Sequence, residues 1–232
     1  MFLAGSLLFH AFIILSGITA GLWAHIMLRV APEKVLPFGQ AWARLALGAL
    51  RVLCGIRIAY EGLENIPDGP VILAAQHQSA LDTMIWFTRL PKPAYVMKQE
   101  LSRLPVLGPL LIPSGQIPLD RAGGAKALRE LTERVRAAAA AGRQIIIFPE
   151  GTRVAPGTRG HLQPGIVAIA RATGLPVIPI STDSGLCWGR NAIRKHPGTV
   201  HVRVHPPLPP GLDRATMLGA LENVYYPSTP CG

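Results

Sequence analysis

The chain has 232 residues, of which 49% are hydrophobic and only 16% charged, with a formal net charge of +10. Such a length suits one domain with a substantial core, and a mean hydropathy of +0.32 brings a membrane into consideration. The positive balance points to an anionic partner: a phosphorylated substrate or an acidic membrane surface rather than nucleic acid, the weaker choice because aromatics are only 6%, the bases are scattered and no nucleic-acid-binding signature occurs.

Residues 1–28 carry no charged side chain, and Arg29 is the first. This run exceeds the roughly 20 apolar residues that cross a bilayer. Its start, MFLAGS, lacks the basic residues of a cleaved leader. Beyond it lie Arg29, Lys34, Arg44, Arg51 and Arg57 against a single Glu33, which places this flank on the cytoplasmic side. The stretch FGQAWARLALGALRVLCGI reads as a basic amphipathic helix, with Arg44 and Arg51 on one face. Residues 1–57 are therefore expected to be membrane-associated helices. One spanning helix plus an interfacial one, and a hairpin dipping into one leaflet, both fit.

From about Ile58 strand and helix signals alternate. VILAA (71–75) reads as a buried strand and SALDTMIWFTRL as a helix capped by Ser79. AYVMK (94–98) is a strand, and LSRLPVLGPLLIPSG a Pro-punctuated connector. GQIPLDR (115–121) reads as an edge strand, because Pro118 cannot donate to a ladder. AKALRELTERVRAAAAAG is an amphipathic helix, with Leu128, Leu131 and Val135 in its stripe and Gly142 as its stop. QIIIF (144–148) is a buried strand, PGIVAIARATG a helix, PVIPI a strand and GTVHVRVHPPL an alternating strand. The expected fold is α/β, a mixed, partly parallel sheet flanked by helices, in one domain over 58–232.

Three polar clusters follow apolar strands, the position where sites form in open α/β sheets. They are QHQSALD (76–82), Asp120–Arg121, and Pro-Glu-Gly-Thr-Arg (149–153). In the first, Ser79 and Asp82 also fit a capping box. In the third, Gly151 allows close backbone approach and Arg153 suits bidentate phosphate recognition. Cys54, Cys187 and Cys231 lie far apart and show no disulfide or metal spacing, and the seven histidines form no ligand cluster. A reducing compartment, burial of Cys54 and no metal are expected.

These stretches resemble the lysophosphatidic acid acyltransferase family (1-acylglycerol-3-phosphate O-acyltransferases) of the glycerolipid acyltransferase superfamily, from about Gly62 onward. Four blocks stand in family order: His77 to Asp82; Gly115, Ile117 and Arg121; Phe148 to Arg153; and Val177 to Ile180. Departures are Gln76 where Asn is common, Pro118 in an apolar stretch, Val154 for a frequent Ser, and ISTDSG after the last block. The resemblance implies that an acyl group passes from acyl-CoA or acyl-carrier protein, as co-substrate and without a cofactor, to the sn-2 hydroxyl of 1-acylglycerol 3-phosphate, giving phosphatidic acid.

An activated thioester needs no protein nucleophile, so His77 is expected to act as general base and Asp82 to orient it. Asp82 is expected to face His77, leaving the Ser79 hydroxyl to cap the helix alone. By the resemblance, Glu150, Gly151, Thr152 and Arg153 bind the acceptor, and Arg121 and Lys98 hold its phosphate. The oxyanion donors are not identifiable beyond backbone N–H groups near Glu-Gly-Thr. The expected partners are a membrane lipid acceptor, the acyl donor and an anionic membrane surface. The expected location is the membrane, the inner one in a bacterium, with the catalytic domain on its cytoplasmic face. Within the superfamily, another lysolipid (a lyso-ornithine lipid, for example) or glycerol 3-phosphate is the alternative acceptor. A lipase lacks its Gly-x-Ser-x-Gly elbow here, and a non-catalytic lipid binder would not need His77 and Asp82.

Overall fold

The computed structural model describes residues 2–227, so Cys231 lies outside the described residues. Two long helices come first, α1 (Phe2–Val30) and α2 (Val35–Cys54). Then follow β1 (Ile56–Glu61), β2 (Ile72–Ala75), α3 (Ala80–Arg89), β3 (Pro93–Lys98), α4 (Gly108–Leu111), β4 (Ile117–Leu119), α5 (Gly124–Ala140) and β5 (Gln144–Ile147). The chain continues through α6 (Gly165–Thr173), β6 (Val177–Thr182), α7 (Ser184–Cys187), β7 (Gly198–Val204) and α8 (Arg214–Tyr225).

The strands form a seven-stranded sheet in the order β1-β7-β6-β2-β5-β3-β4. Only β6 and β7 pair antiparallel, and the other neighbours run parallel. The sheet is thus mixed and mostly parallel, with helices on both faces. The apolar runs β2 and β5 lie adjacent and are buried at every residue, as parallel strands covered on both faces must be. Side-chain alternation along β2 splits the core in two. Leu73 and Ala75 join Leu50, Leu81, Ile85 and Trp86 on one face. Ile72 and Ala74 meet Leu131, Val135, Ile166 and Leu221 on the other. β4 lies at the sheet edge, where the missing N–H of Pro118 costs no ladder bond.

Two elements escaped the pattern reading. β1 begins at Ile56, ahead of the expected change near Ile58, because Gly55 in the left-handed region ends α2 and turns the chain straight into the sheet. α8 follows a Pro-rich segment and buries only Met217, Leu221 and Tyr225, one residue per turn.

The first two helices share the core of the sheet. Phe9 is fully buried and meets Trp188 edge to face at 5.5 Å, in the same cluster as Leu50 and Cys54. The helices touch closely where α1 carries glycine: a Cβ on Gly5 would sit 2.0 Å from the Leu53 carbonyl oxygen. Gln40 of α2 donates to the Phe87 and Leu90 carbonyls at the end of α3.

Candidate active site

Gln76 follows directly on β2, and its buried amide ties three elements together. Its backbone N–H donates to Ile180, its side chain donates to the Tyr225 carbonyl, and its amide oxygen accepts from Thr182. His77 therefore leaves the sheet from a fixed point. The His77 carbonyl accepts from Val154 N–H at 2.8 Å, and its own N–H donates to Glu150 Oε2 at 2.5 Å.

The imidazole is held on two sides. Its Nδ1 lies 3.0 Å from Asp82 Oδ2, and its ring stacks on Phe148, with centroids 4.0 Å apart and planes 18° apart. Asp82 stands at the third position of α3 and is buried; its Oδ2 also accepts from the Gln78 and Ser79 amides, both at 2.8 Å. The Ser79 hydroxyl accepts from Leu81 N–H, so the cap is reciprocal. The expectation that Asp82 would face His77 and leave capping to Ser79 alone is corrected in its second half: one carboxylate oxygen serves both. Because Oδ2 can only accept, Nδ1 carries the proton and Nε2 holds the free lone pair. Among the described residues, Nε2 makes no hydrogen bond.

Glu150 lies beneath this loop. It is 4% exposed, with Oε2 taken by His77 N–H and Oε1 by the Tyr226 hydroxyl at 2.6 Å. Burial pushes its carboxyl up to about 7; the Tyr226 and His77 hydrogen bonds act in the opposite sense, and the charge of Asp82 adds to the rise. The expectation that Glu150 binds the acceptor does not match this placement. The side chain points into the protein, where it accepts from the His77 N–H and the Tyr226 hydroxyl.

Gly151 follows with φ +70, in the left-handed region that favours glycine. Its N–H is spent on the Phe148 carbonyl at 3.0 Å, and its own carbonyl accepts from Arg121. That contact joins the second and third polar clusters. Lys98 pairs in register with Leu119, two residues before Arg121, so Lys98 and Arg121 are both exposed at the carboxyl ends of neighbouring strands. Thr152 is exposed, and Arg153 half-buried, on the same loop, with the Arg153 carbonyl 3.5 Å from an Arg190 guanidinium nitrogen. The structure thus gathers His77, Asp82, Glu150, Gly151 and Arg121 by direct bonds; Thr152 and Arg153 follow Gly151 on the same loop, and Lys98 ends the strand beside Leu119.

An acyltransferase family model matches residues 57–183, more than half of the chain and all four polar and apolar blocks. The chain belongs to the acyltransferase family. This acyltransferase is 34% identical over 202 residues to the 1-acyl-sn-glycerol-3-phosphate acyltransferase of Pseudomonas aeruginosa, covering 84% of this chain and 78% of that one. The protein of the same name from Limnanthes alba is 29% identical over 196 residues, 82% of this chain and 69% of that one. The crystal structure of the 1-acyl-sn-glycerophosphate (LPA) acyltransferase PlsC of Thermotoga maritima superimposes with a TM-score of 0.73 at 24% identity. It covers 98% of this chain and 97% of that one, and shows the shared fold.

Tyr226 and the side-chain role of Gln76 escaped the sequence reading of this acyltransferase. Tyr226 lies 76 residues from Glu150, and nothing local marks it as a partner. Gln76 does carry a signal, since a buried amide directly after an apolar strand must find hydrogen bonds.

Proposed function

We propose that this acyltransferase moves a fatty acyl group from a coenzyme A or acyl-carrier-protein thioester to the sn-2 hydroxyl of 1-acylglycerol 3-phosphate, forming phosphatidic acid. The observation that carries the reading is a histidine with Nδ1 on a buried carboxylate, Nε2 without a hydrogen bond among the described residues, and Arg121 bonded to the neighbouring Gly151 loop. His77 Nε2 takes the proton of the acceptor hydroxyl as its oxygen attacks the thioester carbonyl. The C–S bond then breaks, and the departing thiolate takes that proton back from the imidazolium. Asp82 keeps the imidazole in the useful tautomer and favours the imidazolium. Gly151 N–H is already used, so the N–H groups of Thr152 and Arg153 are the proposed oxyanion donors. Lys98, Arg121 and Arg153 hold the acceptor phosphate, with Arg the better fit to its oxygens. Glu150 shapes the loop on which His77 stands. The names of the relatives from Pseudomonas and Limnanthes support the same acceptor.

The acceptor lives in a bilayer, and residues 1–57 supply the anchoring unit. α1 has 29 residues, about 43 Å of helix, and exposes Leu7, Ile14, Leu15, Leu22, Trp23 and Ile26. Yet both of its ends are fastened to the rest of the chain, through Ser6 and Phe9 near the start and through Ala24 in a cluster with Val35 and Leu110 near the end. A helix bound at both ends to one body lies in one leaflet and does not cross. The cytoplasmic leaflet is the proposed one, and the basic residues Arg29, Lys34, Arg44, Arg51 and Arg57 support that choice.

The deciding experiment compares acceptors on detergent-purified protein. Lysophosphatidic acid should be acylated faster than glycerol 3-phosphate or a phosphate-free lysolipid, and a phosphate-free lysolipid turned over better would overturn the assignment.

A further inference from the structure

The segment from α7 to β7 carries large apolar side chains in water, beside bases that the reaction does not use. Leu186 is 62% exposed and Ile193 60% exposed, and Arg190 and Arg194 are exposed between and after them. Buried neighbours fix the loop from below. The Lys195 amide donates to Ser6 Oγ of α1 at 2.9 Å, and Lys195 Nζ donates to the Ile193 carbonyl and lies 4.5 Å above the Trp188 ring. Trp188 in turn meets Phe9 of α1 edge to face. The other end of the segment reaches the site. Gly185 N–H donates to the side chain of Gln78, which follows His77, and Arg190 donates to the Arg153 carbonyl.

One short loop is therefore anchored on the first turns of α1 and on the two loops that carry His77 and Arg153. Near this anchorage, α1 also exposes Leu3, Leu7 and Leu8. Exposed patches of this kind mark interaction surfaces. Arginines interleaved with aliphatic tips suit a surface whose phosphates lie just above hydrocarbon.

We propose that residues 186–194 form a second membrane contact. Leu186 and Ile193 enter the boundary between headgroups and acyl chains of an anionic bilayer, and Arg190 and Arg194 meet lipid phosphates. The mouth of the site is thereby pressed against the surface that holds the acceptor. The proposal rests on α1 lying in a leaflet and on a lipid acceptor.

The test has two arms on the full chain. A nitroxide label at Ile193→Cys, in a Cys231→Ser background, is compared with one at Ala140→Cys on the exposed end of α5; the thiols of Cys54 and Cys187 are buried. On phosphatidylglycerol/phosphatidylcholine vesicles, the label at 193 should lose collisions with a water-soluble nickel complex and gain them with oxygen. A label at 193 as open to nickel as the one at 140 overturns the proposal. In the second arm, Leu186→Ser with Ile193→Ser should lower turnover of vesicle-borne acceptor about tenfold, and leave a short-chain monomeric acceptor within about twofold of the parent. Equal effects on both acceptors overturn it. A parent protein that acylates neither acceptor overturns the acceptor assignment instead, and the label depth then decides the loop.

Discussion

Asp82 makes three hydrogen bonds through one oxygen, and the demands on it differ. The Gln78 and Ser79 amides need an acceptor at the start of α3, and in the proposed mechanism His77 needs one that stays anionic as the imidazole gains charge. Asparagine can meet the first demand through its oxygen, with its NH2 group at the position of Oδ1, which has no partner among the described residues. Asp82→Asn is therefore expected to fold normally and to lose on the order of 10²–10⁴ in kcat, read by steady-state kinetics beside a thermal melt. Ser79→Ala should behave in the opposite way, with stability reduced by about 1 kcal/mol and catalysis nearly intact.

Glu150 gives a pH-dependent prediction at the same scale. Its folded-state carboxyl titrates near 7, against 4.5 for the ordinary side chain. Between those values the unfolded chain gives up the proton more readily than the folded one, so stability from this group falls as pH rises from 4.5 to 7 and levels off above. The full effect is about 3 kcal/mol. Glu150→Gln keeps an oxygen for His77 N–H and offers an N–H to the Tyr226 oxygen, so it should remove that slope. Chemical denaturation at pH 5 and pH 8 checks this, and a variant with the parental difference between the two pH values refutes it. Tyr226→Phe removes the hydrogen bond that most favours the Glu150 charge, and should move the same window upward.

At the scale of elements, β2 and β5 were legible because strands buried on both faces read as short apolar runs without alternation, and β7 because its side chains alternate. The approach of His77 to Asp82 was legible because one helix cap fixes both. The inward direction of Glu150 was not. A carboxylate in a Pro-Glu-Gly-Thr-Arg turn reads alike whether it meets ligand or core, and its deciding partner comes from the end of α8. That helix was itself hidden, since three buried residues at four-residue spacing give a weak stripe. α8 closes the site from behind: the Tyr225 hydroxyl donates to the Ala74 carbonyl in β2 while Tyr226 reaches Glu150. Ending the chain before Tyr225 should therefore impair turnover although no proposed substrate-binding residue is lost, as a kcat measurement on the truncated protein would show.

Across the whole molecule, the first two helices and the sheet share one core. Phe9 fills a position with no exposed surface and Leu50 lies beside it in the core. Phe9→Ala should cost about 3–5 kcal/mol, and removal of residues 1–30 should yield an aggregating protein and not a soluble enzyme. Size-exclusion chromatography of that truncation in detergent separates the outcomes. Under the proposed function, the basic balance of +10 would attract both a phosphorylated acceptor and an anionic surface.

In the proposed mechanism, His77 removes the proton from the acceptor hydroxyl. Single-turnover transfer of a labelled acyl group to lysophosphatidic acid, by His77→Ala beside the parent, tests it most directly. The predicted result is a loss on the order of 10²–10⁴ in the transfer rate, with lysophosphatidic acid binding and thermal stability little changed. Transfer by the variant at the parental rate would contradict it.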